Sequence, residues 1–338
     1  MLRTLFLPLA LVLGLSVQGC MFVNIPLTFP PADYQEVLIQ DGSRREKILL
    51  LDIDGFLTSG ARREAPLVGL RDSTVNEVAD RLAKARDDQS IKAVVLRINS
   101  PGGGVTASDL LHNEIRRYQM DTGVPVYASL LDMGTSGAYY VAASADQIYV
   151  HPTTVTGSIG VVSMFPQFEN LGHKIGVYVE VLKSGDNKDI TGGFRNMTDE
   201  QREILQGMID SLYERFLMAV MSGRPNLDSD TLRDIADGRI YTAEQSVDIG
   251  LTDGVKYLKD VLDLVRDETG APDARVVMYR RTAERSYDSV YAESDTRGLP
   301  QPARAGASAS GNTINLFNVD LRSLWPDDSP VFYYVWLP

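Results

Sequence analysis

Hydrophobic and polar positions follow two rhythms along the chain, one typical of strands and one typical of helices. Short apolar runs, which predict buried strands, occupy residues 48–53, 93–99, 124–130, 147–150, 158–164 and 175–182. Apolar residues recur at helical spacing over residues 74–88, 105–118, 137–145, 198–221, 242–249 and 255–266. Strands that alternate with helices predict an α/β domain with a largely parallel sheet and flanking helices, over residues 47–268.

The helix predicted over residues 198–221 has the strongest local signals. Thr198 and Gln201 have the spacing of a capping box, and eight apolar residues between Ile204 and Val220 share one face. For the first predicted helix, Ser73 is the expected N-cap because its hydroxyl can accept a hydrogen bond from a free backbone N–H.

Residues 1–19 have the layout of a secretory signal, with Arg3, an apolar stretch at 5–17 and a small residue before Cys20. The Val-Gln-Gly-Cys ending resembles a bacterial lipobox, in which the cysteine is lipidated and becomes the mature N-terminus. This predicts a protein in the bacterial cell envelope, held to a membrane by acyl chains, with its body outside the cytoplasm. An ordinary cleaved signal and an uncleaved anchor are the alternatives, although the apolar stretch is shorter than the about 20 residues of a bilayer span.

The two ends of the chain differ in composition from the predicted domain. Residues 20–46 contain several prolines and little periodicity, which predicts a linker. Residues 269–338 form a predicted C-terminal extension, with a flexible Pro/Ala/Ser/Gly-rich linker at 299–312. Its apolar, aromatic end at 331–337 is expected to leave water, either as an edge strand packed on the domain or as an oligomer or membrane contact.

Composition excludes some classes of function. The formal net charge is −12 and the sequence has no Lys/Arg-rich run, which argues against a nucleic-acid partner. Cys20 is the only cysteine, so an intrachain disulfide cannot form.

Ser136 is a candidate nucleophile. It lies between Gly134 and Gly137, directly before a predicted helix. The free N–H groups and the positive dipole end of a helix N-terminus stabilise developing negative charge. The alternative is that Ser136 is an ordinary N-cap.

A glycine-rich turn at residues 100–104, Ser-Pro-Gly-Gly-Gly, follows a predicted strand and opens a predicted helix. Glycines there allow backbone N–H groups to point at a carbonyl oxygen and form an oxyanion hole. A plain strand-to-helix turn is the alternative. A phosphate cradle is disfavoured, since the turn fits neither GxxxxGK[ST] nor GxGxxG.

Lys188 is a candidate general base, with Lys174 and Lys183 as neighbouring alternatives. A lysine normally titrates near 10.4, so it must be desolvated to be neutral near pH 7. The three histidines, His112, His151 and His173, have no sequence setting that suggests a Ser-His-Asp triad.

Four ordered blocks of the sequence resemble the signature blocks of bacterial signal peptide peptidase A. The similarity spans residues 48–255, and the blocks are 96–103 (Leu-Arg-Ile-Asn-Ser-Pro-Gly-Gly), 136–140 (Ser-Gly-Ala-Tyr-Tyr), 156–160 (Thr-Gly-Ser-Ile-Gly) and 184–189 (Ser-Gly-Asp-Asn-Lys-Asp). The resemblance implies a Clp/crotonase-like α/β spiral domain and a serine-lysine endopeptidase that needs no metal or cofactor.

The resemblance also implies a role for each matched residue. Ser136 is the nucleophile and Lys188 the general base, while Ser158 hydrogen-bonds and orients the lysine. Backbone N–H groups of Gly103 and Gly137 form the oxyanion hole. For Ser158 the alternative is an ordinary turn residue at the start of a strand.

The chain departs from the family pattern at Ala138, where a second glycine is common, and in having a lipobox in place of a membrane-spanning anchor. Single-domain members form rings whose serine and lysine come from neighbouring subunits, so we expect a homo-oligomer, an octamer by this resemblance. The expected substrates are cleaved signal peptides or other extended apolar peptides. The alternatives are an inactive lipoprotein scaffold and a crotonase-like acyl-CoA enzyme.

Overall fold

A computed structural model describes residues 34–60, 62–65, 69–281, 290 and 332–335. The predicted signal at 1–19, Cys20 and the linker at 299–312 lie outside these residues. The described strands are β1 (Tyr34–Gln40), β2 (Ser43–Asp54), β3 (Arg62–Ala65), β4 (Gly69–Arg71), β5 (Ile91–Ser100), β6 (Gly102–Gly104), β7 (Val126–Thr135), β8 (Gln147–Val150), β9 (Val155–Gly157), β10 (Ile240–Thr242), β11 (Gly254–Val255), β12 (Ala274–Arg281) and β13 (Tyr333–Val335). The described helices are α1 (Thr74–Arg86), α2 (Val105–Thr122), α3 (Gly137–Ala142), α4 (Glu169–Ile175), α5 (Asp199–Gly223), α6 (Ser229–Ile235), α7 (Ala243–Asp248) and α8 (Leu258–Glu268).

The main sheet runs in the order β1-β12-β2-β5-β7-β8-β11. Only β1 pairs antiparallel along this order; the pairs from β12 to β11 are parallel. The first part of β7 pairs with β8, and its last three residues pair parallel with β9 instead. β9 in turn pairs antiparallel with β10. The predicted fold class, a largely parallel α/β sheet with flanking helices, is confirmed.

Both faces of the central strands are buried, which is why these strands read as continuous apolar runs. On β2, Leu49, Leu51 and Ile53 pack into one core cluster, while Ile48 and Leu50 pack into another. Neighbouring β5 has the same alternation, with Val94, Leu96 and Ile98 in the first cluster and Ala93 and Val95 in the second. Because successive side chains of a strand point to opposite faces, the two clusters lie on the two sides of the sheet.

Local helix signals in the sequence are confirmed. The Thr198 hydroxyl accepts from the Gln201 N–H at 3.2 Å, and the Gln201 side chain accepts from the Thr198 N–H, so the capping box is complete. Ser73 caps α1 by accepting from the Asn76 N–H. The apolar face of α5 meets the core at Leu205, Phe216, Leu217 and Val220, which are buried.

The structure differs from the sequence-based boundaries at both ends of the domain. Part of the predicted linker, 20–46, is sheet, because β1 pairs with β12 and β2 begins at Ser43. Likewise β12 belongs to the predicted extension, 269–338, but pairs with β2 inside the main sheet. Residues 331–337 were expected to pack as an edge strand or to make an outside contact; their described part, β13, pairs with β6.

Two predicted strands are not regular strands. Residues 158–164 contain a single bridge, between Val162 and Tyr333. Residues 175–182 begin at the end of α4 and continue without helix or strand structure, with most of their apolar side chains exposed. An apolar run is therefore present there without a partner strand in the described part of the chain.

A buried ion pair joins the two central strands. Arg97 on β5 lies opposite Asp52 on β2, and its guanidinium donates two hydrogen bonds to that carboxylate, at 2.7 and 2.8 Å. The same guanidinium donates to the carbonyl of Val290, and the Arg97 side chain is 1% exposed. The pair therefore ties a residue of the C-terminal extension to the centre of the sheet.

We predict that Arg97→Leu lowers the free energy of unfolding by about 3–5 kcal/mol, because it leaves the Asp52 carboxylate half-buried without its partner. Urea unfolding of the wild type and the variant at pH 7 measures the change. The matched control, Arg97→Leu with Asp52→Leu, removes both charges and should recover most of the loss. A single variant as stable as the wild type would contradict this role of the pair.

Candidate active site

The two glycine-containing motifs lie side by side because they follow neighbouring parallel strands. β5 ends at Ser100 and leads into Gly102–Gly104, and β7 ends at Thr135 and leads into Ser136. Ser100 pairs in register with Gly134, so the carboxyl ends of the two strands meet. This edge of a parallel sheet is where ligands bind in open α/β folds.

Ser136 has a strained backbone. Its φ and ψ are 52° and −118°, a region that costs a non-glycine residue on the order of 1–3 kcal/mol. The Ser136 N–H donates to the Gly157 carbonyl at 2.7 Å, and the Thr156 hydroxyl donates to the Gly134 carbonyl at 2.7 Å. β9 therefore holds the turn in this conformation.

The hydroxyl of Ser136 does not cap the helix that follows it. The turn precedes α3, but the Ser136 side chain makes no capping hydrogen bond to that helix. Ser136 therefore stands at the N-cap position of α3 without capping the helix through its side chain. A serine in a strained strand-to-helix turn, with its hydroxyl not used for capping, is similar in setting to a nucleophile elbow, and its role as a nucleophile stays a prediction.

The glycine turn is fixed on one edge by Leu57. The Leu57 N–H donates to the Gly102 carbonyl at 2.9 Å, and the Gly104 N–H donates to the Leu57 carbonyl at 3.0 Å. The Ser100 hydroxyl donates to the Gly55 carbonyl at 2.6 Å and accepts from the Gly102 N–H at 3.0 Å. Since the backbone groups of a strand alternate in direction, the N–H of the intervening Gly103 faces the opposite edge.

The backbone nitrogens of Gly103 and Gly137 lie close together. A Cβ on Gly137 would lie 3.2 Å from the Gly103 nitrogen and 2.4 Å from the Ser108 hydroxyl oxygen. A Cβ on Gly102 would lie 2.7 Å from the Gly137 nitrogen. The structure therefore brings together three of the predicted site residues, Gly103, Ser136 and Gly137; their chemical roles stay predictions.

Ser158 lies next to this turn. It follows Gly157, whose carbonyl binds the Ser136 N–H, and its own N–H donates to the Arg239 carbonyl at 2.7 Å. Its φ is 52°, and among the described non-glycine residues only Ser136 shares a positive φ with it. The positive φ of Ser158 shows that its turn, like that of Ser136, is held by its surroundings.

Lys188 is placed differently. It is exposed on a turn, with its N–H donating to the Gly185 carbonyl at 3.1 Å. Among the described residues, no hydrogen bond or ion pair joins its side chain to Ser136 or Ser158. A single chain therefore does not assemble the predicted dyad.

The turn that carries Lys188 is held by Asp189. The Asp189 carboxylate pairs with Arg195, at 2.7 Å to each oxygen, and with Lys183 at 2.9 Å. Hydrogen bonds from Arg195, with Lys183 second, hold the pKa of Asp189 well below its usual range. The Gln201 side chain donates to the Asp186 carbonyl at 3.0 Å and so ties the turn to α5. Lys183, an alternative base in the sequence, is engaged by this carboxylate.

The histidines have other surroundings. The His151 ring contacts the Thr153 hydroxyl at 2.9 Å, and the His173 ring packs against Tyr178. His112 packs edge-on against Tyr140, with ring centroids 5.3 Å apart. Burial, with the nearby charge of Arg116 second, lowers the pKa of His112 to about 4, so its imidazole is neutral at pH 7.

Sequence reasoning missed two features of the site. Leu57 fixes the glycine turn, but no local pattern marks it, because its contact comes from a loop that follows β2. Tyr140 and Phe216 form an aromatic wall beside the turn, with ring centroids 5.0 Å apart. Phe216 does belong to the apolar face predicted for α5. The helical spacing of apolar residues, however, cannot distinguish a residue that lines a pocket from an ordinary core residue.

We predict that His112→Phe flattens the dependence of stability on pH between 6.5 and 4. The pKa of His112 is about 4 in the folded protein and has its ordinary value of 6.5 in the unfolded chain. Between these two pH values, unfolding therefore takes up a proton. Its stabilisation is present above pH 6.5 and is lost as the pH falls towards 4, by on the order of 3 kcal/mol.

Urea unfolding of the wild type and His112→Phe at several pH values tests this. The difference between the two curves should change steadily from pH 6.5 to pH 4, in favour of the variant at low pH. His173→Gln is the control, since His173 is exposed on α4 and should leave the slope unchanged. Parallel curves for wild type and His112→Phe would contradict the assignment.

Comparison with known proteins identifies the family of the chain. Residues 118–271 match the model of peptidase family S49, a range that includes Ser136, Ser158 and Lys188. The chain is 32% identical over 245 residues to “Putative signal peptide peptidase SppA” of Enterococcus faecium, covering 72% of this chain and 70% of that protein. It is 34% identical over 217 residues to Protease 4 of Haemophilus influenzae, covering 64% of this chain and 34% of that protein. The chain therefore belongs to peptidase family S49, with the signal peptide peptidase A proteins, and is a serine peptidase.

Proposed function

We propose that the protein is a serine-lysine endopeptidase in which Ser136 is the nucleophile. The observation that carries this proposal is the strained turn of Ser136 next to the closely spaced backbone amides of Gly103 and Gly137. Donors fixed in advance around a developing oxyanion stabilise the transition state without reorganisation.

The proposed mechanism is acyl transfer through an acyl-enzyme. Neutral Lys188 removes the proton of Ser136 Oγ as this oxygen attacks a peptide carbonyl carbon, and the carbonyl oxygen becomes an anion held by the N–H groups of Gly103 and Gly137. The intermediate then collapses, the C–N bond breaks, and the Lys188 ammonium gives its proton to the leaving amine. Lys188, neutral again, then takes a proton from water as the water oxygen attacks the ester carbon. The ester C–O bond breaks, the acid product leaves, and the Lys188 ammonium gives its proton to Ser136 Oγ.

Lys188 reaches Ser136 from a neighbouring subunit in this proposal, and Ser158 orients it. The exposed position of Lys188 on a pre-folded turn supports a role at an interface. A lysine acts as a base near pH 7 only when it is desolvated. Contact with the next subunit supplies that desolvation, which one chain alone does not.

The assembly is a closed ring, an octamer by the family resemblance. A run of exposed apolar residues precedes the lysine turn, with Leu182 90% exposed, Tyr178 75% and Ile175 66%. Contiguous apolar surface of this kind marks an interaction site. In a head-to-tail contact this surface meets a different surface of the next subunit, and repetition of that one contact closes into a ring when its rotation divides the circle.

The substrates are cleaved signal peptides or similar extended apolar peptides near a bacterial membrane, to which acylated Cys20 holds the protein. The name of the Enterococcus faecium relative supports this substrate class. None of the helices in the described part of the chain combines the length and hydrophobicity of a bilayer span. Membership of a peptidase family favours this function over crotonase-like acyl-CoA chemistry.

We predict that Ser136→Ala and Lys188→Ala each abolish hydrolysis of an apolar test peptide, and that mixed oligomers of the two regain activity. If the serine and the lysine come from adjacent subunits, random equal mixing restores both groups in about one quarter of the sites. The two variants are co-expressed with different tags, purified through both tags and assayed with a fluorogenic peptide.

Each separately expressed variant is the control for its own residual activity. Inactive mixed oligomers would place the two residues in one chain, and full activity of Lys188→Ala would reject Lys188 as the base. An inactive wild type whose serine is not labelled by a fluorophosphonate would favour the scaffold alternative.

We further predict that Gly102→Ala lowers kcat/KM about 100-fold or more, the effect of losing an oxyanion donor. A Cβ at residue 102 would displace the Gly137 nitrogen, which would lie 2.7 Å away, and Gly102 has a φ of +99° that disfavours alanine. Gly207→Ala on α5 is the control, since a Cβ there meets nothing within 4 Å. Thermal melting of both variants separates lost catalysis from lost folding, and unchanged kcat/KM for a folded Gly102→Ala would contradict the assigned geometry.

A further inference from the structure

Gln201 lies near the start of α5 and is 2% exposed, and every hydrogen-bonding group of its side chain is used. Its Oε1 accepts from the backbone N–H of Thr198 at 3.2 Å and from the Arg195 guanidinium at 3.1 Å. Its Nε2 donates to the Asp186 carbonyl at 3.0 Å and to the Asn187 Oδ1 at 3.1 Å. A carboxamide has two acceptor sites and two donor hydrogens, so all four are satisfied. A capping box needs only the bond to the N-cap N–H from this side chain.

The two bonds that Gln201 donates fix the part of the turn that precedes Lys188. Asp186 and Asn187 are the two residues before the lysine, and the Lys188 N–H donates across the turn to the Gly185 carbonyl at 3.1 Å. The carboxamide holds Asp186 by its backbone and Asn187 by its side chain. The turn is therefore tied to α5 directly before the lysine.

Arg195 fixes the same turn on the other side of Lys188. Its guanidinium donates to both carboxylate oxygens of Asp189, the residue after the lysine, at 2.7 Å each. Arg195 also donates to the Gln201 Oε1, so the two side chains form one network around the turn. The backbone is therefore held on both sides of Lys188, while Lys188 itself is exposed.

A second capping box shows that these additional bonds are not needed to cap a helix. Thr242 and Gln245 form the same reciprocal pair of bonds at the start of α7, at 3.0 and 3.3 Å. Gln245 is exposed, and within the described part of the chain its Nε2 makes no hydrogen bond. The burial of Gln201 and its two donated bonds therefore belong to the lysine turn and not to the helix cap.

We propose that Gln201 is a positioning residue that places Lys188 for the serine of the neighbouring subunit. The proposal deepens the peptidase function above and rests on it, because it requires Lys188 to be the general base. A base must lie within hydrogen-bond reach of the hydroxyl that it deprotonates. A displacement of about 1 Å can cost about 100-fold in rate. A turn that is fixed before the subunits meet keeps the lysine within that tolerance.

The variant Gln201→Glu separates the two roles of this side chain. A carboxylate keeps both acceptor bonds, to Thr198 and to Arg195, so the start of α5 stays capped. It cannot donate to the Asp186 carbonyl or to the Asn187 side chain, and it brings a negative charge towards these two oxygens. The variant therefore releases the lysine turn while the helix cap is kept.

Steady-state hydrolysis of a fluorogenic apolar peptide by the full-length protein measures the effect. We expect kcat of Gln201→Glu to fall about 10- to 100-fold, because the base is misplaced. The change in KM should stay below about twofold, since the lysine turn is not where the peptide binds. Native mass spectrometry should show the same oligomer as the wild type.

Gln245→Glu is the matched control, because it is the same substitution in the same motif without a lysine turn beside it. It should leave kcat and KM unchanged, and thermal melting of both variants separates lost catalysis from lost folding. Asn187→Ala covers the case in which Gln201→Glu does not fold. It removes one acceptor of Gln201 on an exposed turn and should lower kcat about three- to tenfold at an unchanged Tm.

Mixed oligomers show which half of the site Gln201 belongs to. Co-expressed with Ser136→Ala, the Gln201→Glu chain should regain about one quarter of wild-type activity, because the Ser136→Ala chain supplies an intact lysine turn to its neighbour. Co-expressed with Lys188→Ala, it should regain none, because both defects then lie in the lysine half. A residue that only stabilises the fold would not sort the two partners in this way.

Unchanged kcat in a folded Gln201→Glu protein, or an equal loss in Gln245→Glu, would overturn the proposal. Activity regained with Lys188→Ala would place Gln201 in the serine half, and activity regained with neither partner would overturn positioning across the subunit contact. Full activity of Lys188→Ala would reject the general base itself. An inactive Lys188→Ala beside an unaffected Gln201→Glu would reject the positioning role alone.

Discussion

The site depends on backbone segments that approach one another more closely than any side chain allows. At Gly102 a Cβ would stand 2.1 Å from the Tyr334 carbonyl oxygen, and at Gly103 it would stand 2.3 Å from the Leu57 carbonyl oxygen. β6 pairs with β13 on one side and bridges to Leu57 on the other, and glycine lets these segments lie so close. Because Gly102 and Gly103 have no side chains, the backbone segments can approach closely and the glycine amide groups stay open to a bound carbonyl. The close packing and the proposed chemistry therefore both depend on these glycines.

Strain in the site is held by the sheet around it. Ser136 keeps a backbone conformation that isolated serine avoids, and the hydrogen bonds from β9 to Gly134 and Ser136 fix it on one side. Those bonds act on the ends of strands whose two faces are buried in the core, so the turn has little room to relax. A serine that would otherwise cap its helix is thereby left with its hydroxyl out of the helix.

The sequence predicts those parts of the structure whose causes are local. Short apolar runs alternating with helical segments predict the parallel sheet, and the spacing of Thr198 and Gln201 predicts the start of α5. The pairing of β13 with β6 escaped prediction, since it joins residues more than 200 positions apart and no periodicity records such a contact. The apolar run at 175–182 has the pattern of a buried strand but no partner in the described chain. A pattern shows that a segment is suited to burial and does not say which surface buries it.

The two halves of the proposed site are built in different ways. The half around Ser136 lies within the core. There the amides of Gly103 and Gly137, the aromatic wall of Tyr140 and Phe216, and β13 are all fixed by contacts within one chain. The half around Lys188 lies on an exposed turn, which the carboxylate of Asp189 holds through ion pairs with Arg195 and Lys183. The half around Ser136 is rigid, whereas the half around Lys188 is pre-folded but exposed. This difference favours a reaction in which the assembly of subunits, and not substrate binding alone, completes the site.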